Sequence, residues 1–206
     1  MTTTVAAFDV DGTITTRDCV VPFMREVTGA RRIVPRLLAR PDTLVPAMVR
    51  RDRDALKALA AVAAFRDVEY GRLERLGSEF ARRVHASWLR PDTVETLDKH
   101  LASGDRVVLV SASFEVYLEP LAALLGVDHV LATRLRHADG VCSGELDGAN
   151  CRGAEKVRRL HEWLDLVDNG GRADVRLVAY GDSAGDRELL ADADEAHWVS
   201  HDGTAS

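Results

Sequence analysis

The second half of the chain alternates short apolar runs with helical patterns, and this alternation limits the fold more than any other feature. Apolar runs at residues 106–110, 130–135 and 176–180 predict buried strands, with a last short strand at 197–200. The stretches around them predict helices at residues 91–101, 114–125, 154–167 and 185–191. Strands separated by helices pair in parallel. The sequence therefore predicts an α/β fold built on a parallel sheet.

The first part of the chain has a different organisation. An apolar run at residues 5–10 predicts the first strand, and no strand pattern follows between residues 16 and 89. That stretch instead carries four helical patterns, at residues 20–27, 33–39, 55–65 and 70–88. We therefore expect a helical bundle inserted after the first strand. The predicted domains are a core of residues 1–15 and 90–206 and a helical domain of residues 16–89.

Composition excludes several classes of partner. The 206 residues carry a net charge of −6, which argues against sequence-independent binding of nucleic acid. No apolar run approaches the roughly 20 residues of a membrane-spanning helix, so no transmembrane segment is predicted. The three cysteines have no metal-ligand spacing, and no signal peptide precedes the first strand. These features predict a cytoplasmic protein with reduced thiols. They leave its oligomeric state open.

Polar side chains follow three of the predicted strands. In an open parallel sheet, ligands bind beyond the carboxyl ends of the strands, so these residues are the candidates for a site. The first strand is followed by Asp9 and Asp11, and the strand at 106–110 by Ser111-Ala112-Ser113. The strand at 176–180 is followed by Gly181-Asp182-Ser183, with Asp186 one helical turn later. Lys156 lies in the first turn of the helix predicted at 154–167.

These residue types suit one kind of chemistry. Asp9 and Asp11 are two positions apart on an extended chain, so their side chains project to the same side. Placed beside Asp182, the carboxylates repel one another unless a cation lies between them, and hard oxygen ligands suit Mg²⁺. A carboxylate attacks a phosphate readily only when the charge on both is neutralised. Lys156 supplies a second positive charge, and Ser111 with nearby backbone N–H groups can hold phosphate oxygens.

Each residue also has a purely structural explanation. Asp11-Gly12 is typical of a turn, and Ser113 of a helix cap. Ser183 and Asp186 fit a capping box, and Lys156 alone fits a solvated helix face. The functional interpretation depends on their occurrence together, because all of them are expected at one edge of one sheet.

In these residues the sequence resembles the haloacid dehalogenase (HAD) superfamily. Within that superfamily it is most similar to the subfamily IB hydrolases that resemble phosphoserine phosphatase. The resemblance spans residues 5–198. It rests on four motifs: Asp9-Val10-Asp11-Gly12-Thr13, Ser111, Lys156, and Gly181-Asp182-Ser183-Ala184-Gly185-Asp186. It implies a Rossmann-like parallel sheet with helices on both faces. The helical segment 16–89 lies where this subfamily carries a helical-bundle cap.

The resemblance implies a Mg²⁺-dependent phosphatase that acts on a small phosphomonoester. Asp9 is the implied nucleophile, which forms an aspartyl-phosphate. Asp11 is the implied acid that protonates the leaving group and then the base that deprotonates water. The implied Mg²⁺ ligands are the carboxylates of Asp9 and Asp182 and the backbone carbonyl of Asp11. Other implied roles are phosphate binding by Ser111, Ala112 and Lys156, and support from Gly12, Thr13, Ser183 and Asp186.

The resemblance leaves the substrate open. In phosphoserine phosphatases an acidic residue seven positions after the second Asp binds the substrate amino group. Asp18 has that spacing. Their cap arginine for the serine carboxylate has no clear counterpart, since Leu59 aligns there with Lys57 and Arg53 nearby. Phosphoserine is therefore disfavoured. A different small phosphorylated metabolite, such as one bearing an amine, or a lipid head group fits better.

Three further alternatives stay open. A gapped alignment puts Arg152 rather than Lys156 at the third motif. A phospho-accepting signalling domain also combines clustered Asp residues, a hydroxyl and a Lys on a parallel sheet. It has no long helical insertion and no late Gly-Asp-Ser motif. A phosphotransferase or mutase using the same Asp9 chemistry would pass the phosphoryl group to a hydroxyl other than water.

Overall fold

The computed structural model describes residues 3–127, 129–167 and 170–200. Residues 1, 2 and 201–206 of the predicted core domain lie outside the described residues. Within the described ranges are six strands and nine α-helices. In chain order they are β1 (Thr3–Phe8), α1 (Val20–Thr28), α2 (Ala30–Leu38), α3 (Pro41–Val49), α4 (Arg53–Phe65), α5 (Tyr70–Ser87), α6 (Pro91–Ala102), β2 (Arg106–Phe114), α7 (Glu115–Leu124), β3 (His129–Ala138), β4 (Val141–Asp147), α8 (Ala154–Val167), β5 (Val175–Gly181), α9 (Arg187–Asp192) and β6 (Glu195–Trp198).

The six strands form one sheet in the order β4-β3-β2-β1-β5-β6. All neighbouring pairs are parallel except β3 and β4, which form an antiparallel hairpin. β1 lies between β2 and β5, with Phe8 opposite Leu109 on one side and Tyr180 on the other. The carboxyl ends of these three strands therefore meet at one edge. The predicted α/β fold with a parallel sheet is confirmed.

Successive residues of the central strands face opposite sides of the sheet, and each side has its own apolar core. Ala6 and Phe8 belong to one core, which also contains residues of α1, α4, α5, α6 and α7. Val5 and Ala7 belong to a second core with Leu160 and Leu164 of α8 and residues of α9. Because strand side chains alternate with a period of two, both faces of β1 are buried. Helices thus cover both faces, as predicted.

Five helices, rather than the four predicted, lie between β1 and α6. The additional helix is α3, which begins at Pro41. The predicted helical patterns left residues 40–54 unassigned, between the pattern at 33–39 and the one at 55–65. Proline is favoured at the first position of a helix, where its missing N–H costs no hydrogen bond. Here it begins a new one. The apolar residues of α3 are almost contiguous (Leu44, Val45, Ala47, Met48 and Val49), and only Ala47 is buried, so the sequence does not show a single apolar face there.

Several strand boundaries also differ from the prediction: β1 spans Thr3–Phe8 rather than 5–10, and β3 spans His129–Ala138 rather than 130–135. β2 continues beyond residue 110 to Phe114, with a register shift between Ser111 and Phe114 against β3. The irregular backbone there is a β-bulge, which redirects the strand at its functional end. The last strand lies at residues 195–198 rather than 197–200. β3 and β4 form a hairpin whose turn is at Asp139-Gly140.

The helices of the 16–89 segment are packed directly onto the rest of the chain. α5 lies so close to α7 that a Cβ at Gly77 would overlap the Val116 carbonyl. α4 lies on β4, where a Cβ at Gly144 would be 2.8 Å from Val62 Cα. Phe23 of α1 also contacts Tyr117 of α7, with 4.8 Å between ring centroids. Among the described residues, no helix has the length and apolar character needed to cross a membrane.

Candidate active site

The loop after β1 places Asp9 at the carboxyl edge of the sheet. The Asp9 amide donates a hydrogen bond of 2.9 Å to the Tyr180 carbonyl of the neighbouring β5. The next residues wrap around the Val10 carbonyl, which accepts hydrogen bonds from the amides of Thr13, Ile14 and Thr15. These bonds fix the loop in one turn. The Asp9 side chain is buried, with a residue exposure of 6%.

Gly12 allows this loop to approach Asp182, which follows β5. Its φ is +87°, in the region that favours glycine, and a Cβ there would overlap Asp182 Oδ2. The Thr13 hydroxyl lies 3.3 Å from both Asp9 Oδ2 and Asp182 Oδ1. Gly12 and Thr13 therefore have definite positions in the site: one leaves room for Asp182, and the other contacts both carboxylates.

Lys156 joins two of the acidic residues from α8. Its Nζ donates to Asp9 Oδ1 at 2.6 Å and to Asp186 Oδ1 at 2.5 Å, and the residue is 1% exposed. Burial lowers the pKa of Lys156, but the two carboxylates outweigh burial and hold that pKa above its ordinary value. The ammonium therefore stays charged. Arg152 lines the same cavity, but the side chain in contact with Asp9 is that of Lys156.

Asp9, Asp182 and Asp186 form a group of carboxylates that fits a hard cation. One oxygen of each lies within 4.8 Å of the others. Burial raises the pKa of Asp9, whereas Lys156 opposes that rise. Asp186 Oδ2 also accepts hydrogen bonds from the Ser183 amide at 3.0 Å and the Ser183 hydroxyl at 2.7 Å. An all-oxygen donor set of this kind is what Mg²⁺ prefers, and one ammonium does not neutralise three carboxylates.

The Asp11 carboxylate lines the same cavity but has hydrogen-bond partners of its own. Its Oδ1 accepts a hydrogen bond of 2.9 Å from the Cys19 amide, and its Oδ2 accepts one from the Ser113 hydroxyl. Burial is the largest influence and, with the charge of Asp18, raises the pKa of Asp11 to about 6; the Ser113 hydrogen bond lowers it. A carboxyl with a pKa near neutrality exists in both protonation states, which suits an acid that later acts as a base.

Ser111 and Ala112 lie on the irregular end of β2. Ser111 is 1% exposed, and its Oγ accepts a hydrogen bond of 3.1 Å from the Ser113 amide. The Ala112 carbonyl accepts hydrogen bonds from the Lys57 ammonium and from the Thr133 hydroxyl, the latter at 2.8 Å. Both residues line the same cavity as Asp9. The bulge thus brings the second predicted motif to the first.

A cavity of about 620 Å³ lies above these groups. Its wall includes Asp18, which lies just before α1, and the first turns of α4, with Arg53 and Lys57. Asp18 is exposed, and its Oδ1 caps α1 by accepting a 3.0 Å hydrogen bond from the Val21 amide. Leu59 lies elsewhere, in a surface pocket with Arg36. The position aligned with the cap arginine therefore does not face the carboxylates.

Comparison with known proteins assigns the chain to a family. Residues 6–191 match the family model of haloacid dehalogenase-like hydrolases. The chain belongs to this family. Protein CicA of Caulobacter vibrioides is 39% identical over 191 residues, which cover 92% of this chain and 82% of that protein.

Two further comparisons support the assignment. A phosphoserine phosphatase of Albidiferax ferrireducens is 26% identical over 192 residues, covering 91% of this chain and 74% of that protein. A crystal structure of a Bordetella pertussis Tohama I protein of unknown function has a TM-score of 0.68 and 25% identity, covering 93% of this chain and 87% of that one. This haloacid dehalogenase-like hydrolase is a phosphatase.

Two side chains at the site of this hydrolase were not assigned a role from its sequence. Ser113 was considered as a helix cap, but α7 begins at Glu115, and the Ser113 hydroxyl instead contacts Asp11. Lys57 was considered only as a neighbour of Leu59. Its Nζ reaches the end of β2 and also donates to Asn150 Oδ1 at 2.6 Å. Both contacts join residues far apart in the sequence, so no local pattern indicates them.

Proposed function

We propose that this phosphatase hydrolyses small phosphomonoesters with Mg²⁺, through an aspartyl-phosphate formed on Asp9. The observation that carries the proposal is the environment of Asp9. One of its oxygens is held by the buried Lys156 ammonium at 2.6 Å, and Asp182 and Asp186 lie beside it. Asp11 lies two residues further on, with a pKa raised to about 6. A nucleophile, a phosphate-binding cation and an acid are thus side by side.

In the first step the Asp9 carboxylate attacks phosphorus and the bond to the leaving oxygen breaks. Protonated Asp11 gives its proton to that oxygen, so that an alcohol departs rather than an alkoxide. The Lys156 ammonium neutralises charge on Asp9 and on the transferred phosphoryl group. Ser111 and the backbone at Ala112 contribute hydrogen bonds to the phosphoryl oxygens.

In the second step water attacks the phosphorus of the aspartyl-phosphate. Asp11, now ionised, takes a proton from that water, and the bond between phosphorus and the Asp9 oxygen breaks. The products are inorganic phosphate, the free Asp9 carboxylate and protonated Asp11. The same Asp11 side chain therefore serves in both steps, and the enzyme returns to its starting protonation state.

The residues that would hold Mg²⁺ are Asp9 and Asp182 through their carboxylates, with the Asp11 backbone carbonyl. Bound there, the ion supplies charge neutralisation between the carboxylates and the substrate phosphate. Gly12 and Thr13 keep Asp182 close to the loop after β1. Asp186 holds Lys156 through one oxygen and Ser183 through the other. It is therefore a positioning residue in this proposal.

We propose that residues 16–89 act as the cap that selects the substrate. The loop before α1 contributes Asp18 to the cavity wall, and α4 contributes Arg53 and Lys57. The Asp18 carboxylate suits a substrate amine. Because Leu59 does not face the cavity, phosphoserine remains disfavoured, and a different small, amine-bearing phosphate is preferred.

The test is a panel of phosphomonoesters assayed for Mg²⁺-dependent phosphate release. Phosphoserine, phosphoethanolamine, phosphocholine, sugar phosphates and lysophosphatidate cover the substrate classes. We expect release from at least one compound, loss of release in EDTA, and no release by Asp9→Asn. A persistent phosphoenzyme without turnover would instead indicate a phospho-accepting signalling domain. Transfer to an added alcohol in place of water would indicate a phosphotransferase.

We also propose that the enzyme acts in the cytoplasm. Cys19, Cys142 and Cys151 are all buried free thiols. Burial raises the pKa of Cys142 and of Cys151, so these thiols remain protonated and unreactive. The test is cell fractionation of a strain that expresses a fluorescent fusion, in which we expect the fluorescence in the cytoplasmic rather than the secreted fraction.

A further inference from the structure

The helices α2 and α3 expose an unusual amount of apolar surface. Five of their large apolar side chains are more than half exposed: Val34 (55%), Leu38 (65%), Val45 (55%), Met48 (60%) and Val49 (77%). They fall within sixteen consecutive residues. Scattered single exposed apolar residues are normal in proteins, but a cluster of this kind marks a surface that binds something.

These side chains are not the inner faces of the two helices. α2 packs with Ile33, which is 9% exposed, and α3 with Ala47, which is 5% exposed. Val34 and Leu38 are four positions apart on α2, and Val45 and Val49 are four apart on α3. Residues with that spacing lie on the same side of a helix. Each helix therefore has a second apolar stripe, directed outward, that the protein's own core does not need.

The same segment is strongly basic, although the chain as a whole carries a net charge of −6. Between residues 31 and 53 there are seven arginines and two acidic residues, Asp42 and Asp52. All seven arginine residues are exposed: Arg31, Arg32, Arg36, Arg40, Arg50, Arg51 and Arg53. Across the described ranges, none of the seven forms an ion pair with a carboxylate. Arg36 donates a 2.9 Å hydrogen bond to the Ala63 carbonyl, and Arg53 lines the catalytic cavity, so the charge directed at the surroundings is mainly that of the other five.

We propose that α2 and α3 dock the protein onto an anionic membrane surface. The apolar stripes enter the boundary between head groups and acyl chains, and the arginines contact lipid phosphates. Guanidinium groups suit this position because their long stems pack on apolar surface while their charge remains at the head groups. A protein partner is a poorer match, because protein interfaces are enriched in aromatic residues beside Arg and Met, and residues 31–53 contain no aromatic residue. Their arginines are interspersed with aliphatic residues instead.

This docking surface, defined as the exposed residues of 31–53, adjoins the catalytic cavity. Arg53 begins α4 and also lines the cavity wall, four residues before Lys57. Docking would therefore hold the cavity next to the lipid surface. The proposal does not depend on the phosphatase mechanism, because its readout is binding to vesicles rather than turnover.

The test is co-sedimentation of the full chain with vesicles. One set contains equimolar phosphatidylcholine and phosphatidylglycerol, and the other contains phosphatidylcholine alone. We expect binding to the anionic vesicles at least about tenfold stronger than to the neutral ones, and weaker binding as salt increases. Equal binding to the two sets, or no binding to either, would overturn the proposal.

Two variants locate the binding to this surface. The first combines Leu38→Ser, Met48→Ser and Val49→Ser. The second combines Arg31→Gln, Arg32→Gln and Arg50→Gln. Each should lower affinity for anionic vesicles at least about tenfold. The matched control for the first variant combines Leu124→Ser, Leu166→Ser and Val167→Ser. The matched control for the second combines Arg72→Gln, Arg75→Gln and Arg82→Gln. The controls should bind like the parent chain, and all variants should retain the parent melting temperature.

Other occupants of the surface give different results. If a second copy of the chain covers it, the parent forms dimers in sedimentation velocity, the two surface variants are monomers, and vesicles do not bind. If an acidic protein covers it, vesicle binding is again absent. Either result contradicts the membrane proposal. Loss of binding in the controls as well would also contradict it, because the charge and apolar character would then act without regard to position.

Discussion

Replacing Lys156 by methionine should strongly destabilise the protein. Methionine has a similar length, so the change removes the charge with little change in packing. The ammonium bridges Asp9 and Asp186 at 2.6 and 2.5 Å and is 1% exposed. Removing one partner of a buried ion pair costs about 3–5 kcal/mol, because the other charge stays buried without compensation. For a chain of this size that corresponds to a fall in melting temperature of roughly 6–20 °C.

The loss of stability in Lys156→Met should grow as pH rises. Without the ammonium, burial and the charge of Asp186 raise the pKa of Asp9 unopposed by Lys156. The Asp9 pKa in the folded state then lies above the value of about 3.9 that an aspartate has in the unfolded chain. The folded state then binds more protons than the unfolded state between those two pKa values, so stability falls as pH rises through that window. Thermal melts followed by circular dichroism in EDTA should show a larger deficit at about pH 8 than at about pH 5.

Lys99→Met is the matched control, because Lys99 pairs with Glu95 on the surface of α6 and both side chains are about 70% exposed. Exposed pairs contribute about 0–1 kcal/mol, so this variant should melt close to the parent at both pH values. A Lys156→Met protein that melts within about 2 °C of the parent at about pH 8 would refute the reasoning. So would a deficit that does not change with pH.

Two further substitutions test the loop after β1. Gly12→Ala should weaken Mg²⁺ activation at least about tenfold, because the added Cβ overlaps Asp182. The control is Gly104→Ala, at a similar φ of +77° with nothing within 4 Å, which should change only stability. Equal Mg²⁺ titrations of the two variants would contradict this prediction. Ser113→Ala removes a hydrogen bond that lowers the pKa of Asp11. The alkaline limb of kcat/KM should therefore move upward by roughly 0.5–1 pH unit, and an unchanged or lowered limb would count against Asp11 as the acid.

The sheet and most of its edge could be predicted from sequence because they depend on local patterns. Apolar runs of four to eight residues marked the strands, and in a parallel sheet the residues that follow them must gather at one edge. That is why Asp9, Asp182 and Ser111 line one cavity although up to 173 positions separate them. The helices on both faces follow from the same alternation.

The missed features depend on tertiary contacts or on ambiguous local signals. Pro41 fits both the end of one helix and the beginning of another, and the almost contiguous apolar residues 44–49 do not show a single helical face that would decide between them. The contact of Ser113 with Asp11 requires the bulge at the end of β2, which no pattern in residues 106–114 indicates. Lys57 reaches Ala112 only because α4 lies over that bulge.

Asp186 illustrates how one short motif supports two interpretations. Ser183 and Asp186 have the spacing of a capping box, and the Ser183 amide does donate to Asp186. The other Asp186 oxygen binds Lys156, a residue on a different helix. The spacing in the sequence predicts only the contact between Ser183 and Asp186. The second depends on α8 and α9 lying on the same face of the sheet.

The central claim is that Asp9 becomes phosphorylated during turnover. The most direct measurement is rapid acid quenching of the enzyme with substrate and Mg²⁺, followed by peptide mass spectrometry. The Asp11→Asn variant should be used beside the parent chain with an aryl phosphate, whose leaving group departs without an acid, so that loss of the base slows only hydrolysis of the intermediate. The account predicts the mass of one phosphoryl group on the peptide containing Asp9, and none in Asp9→Asn. Phosphate release by Asp9→Asn at the parent rate, or a phosphoryl group on another residue, would contradict it.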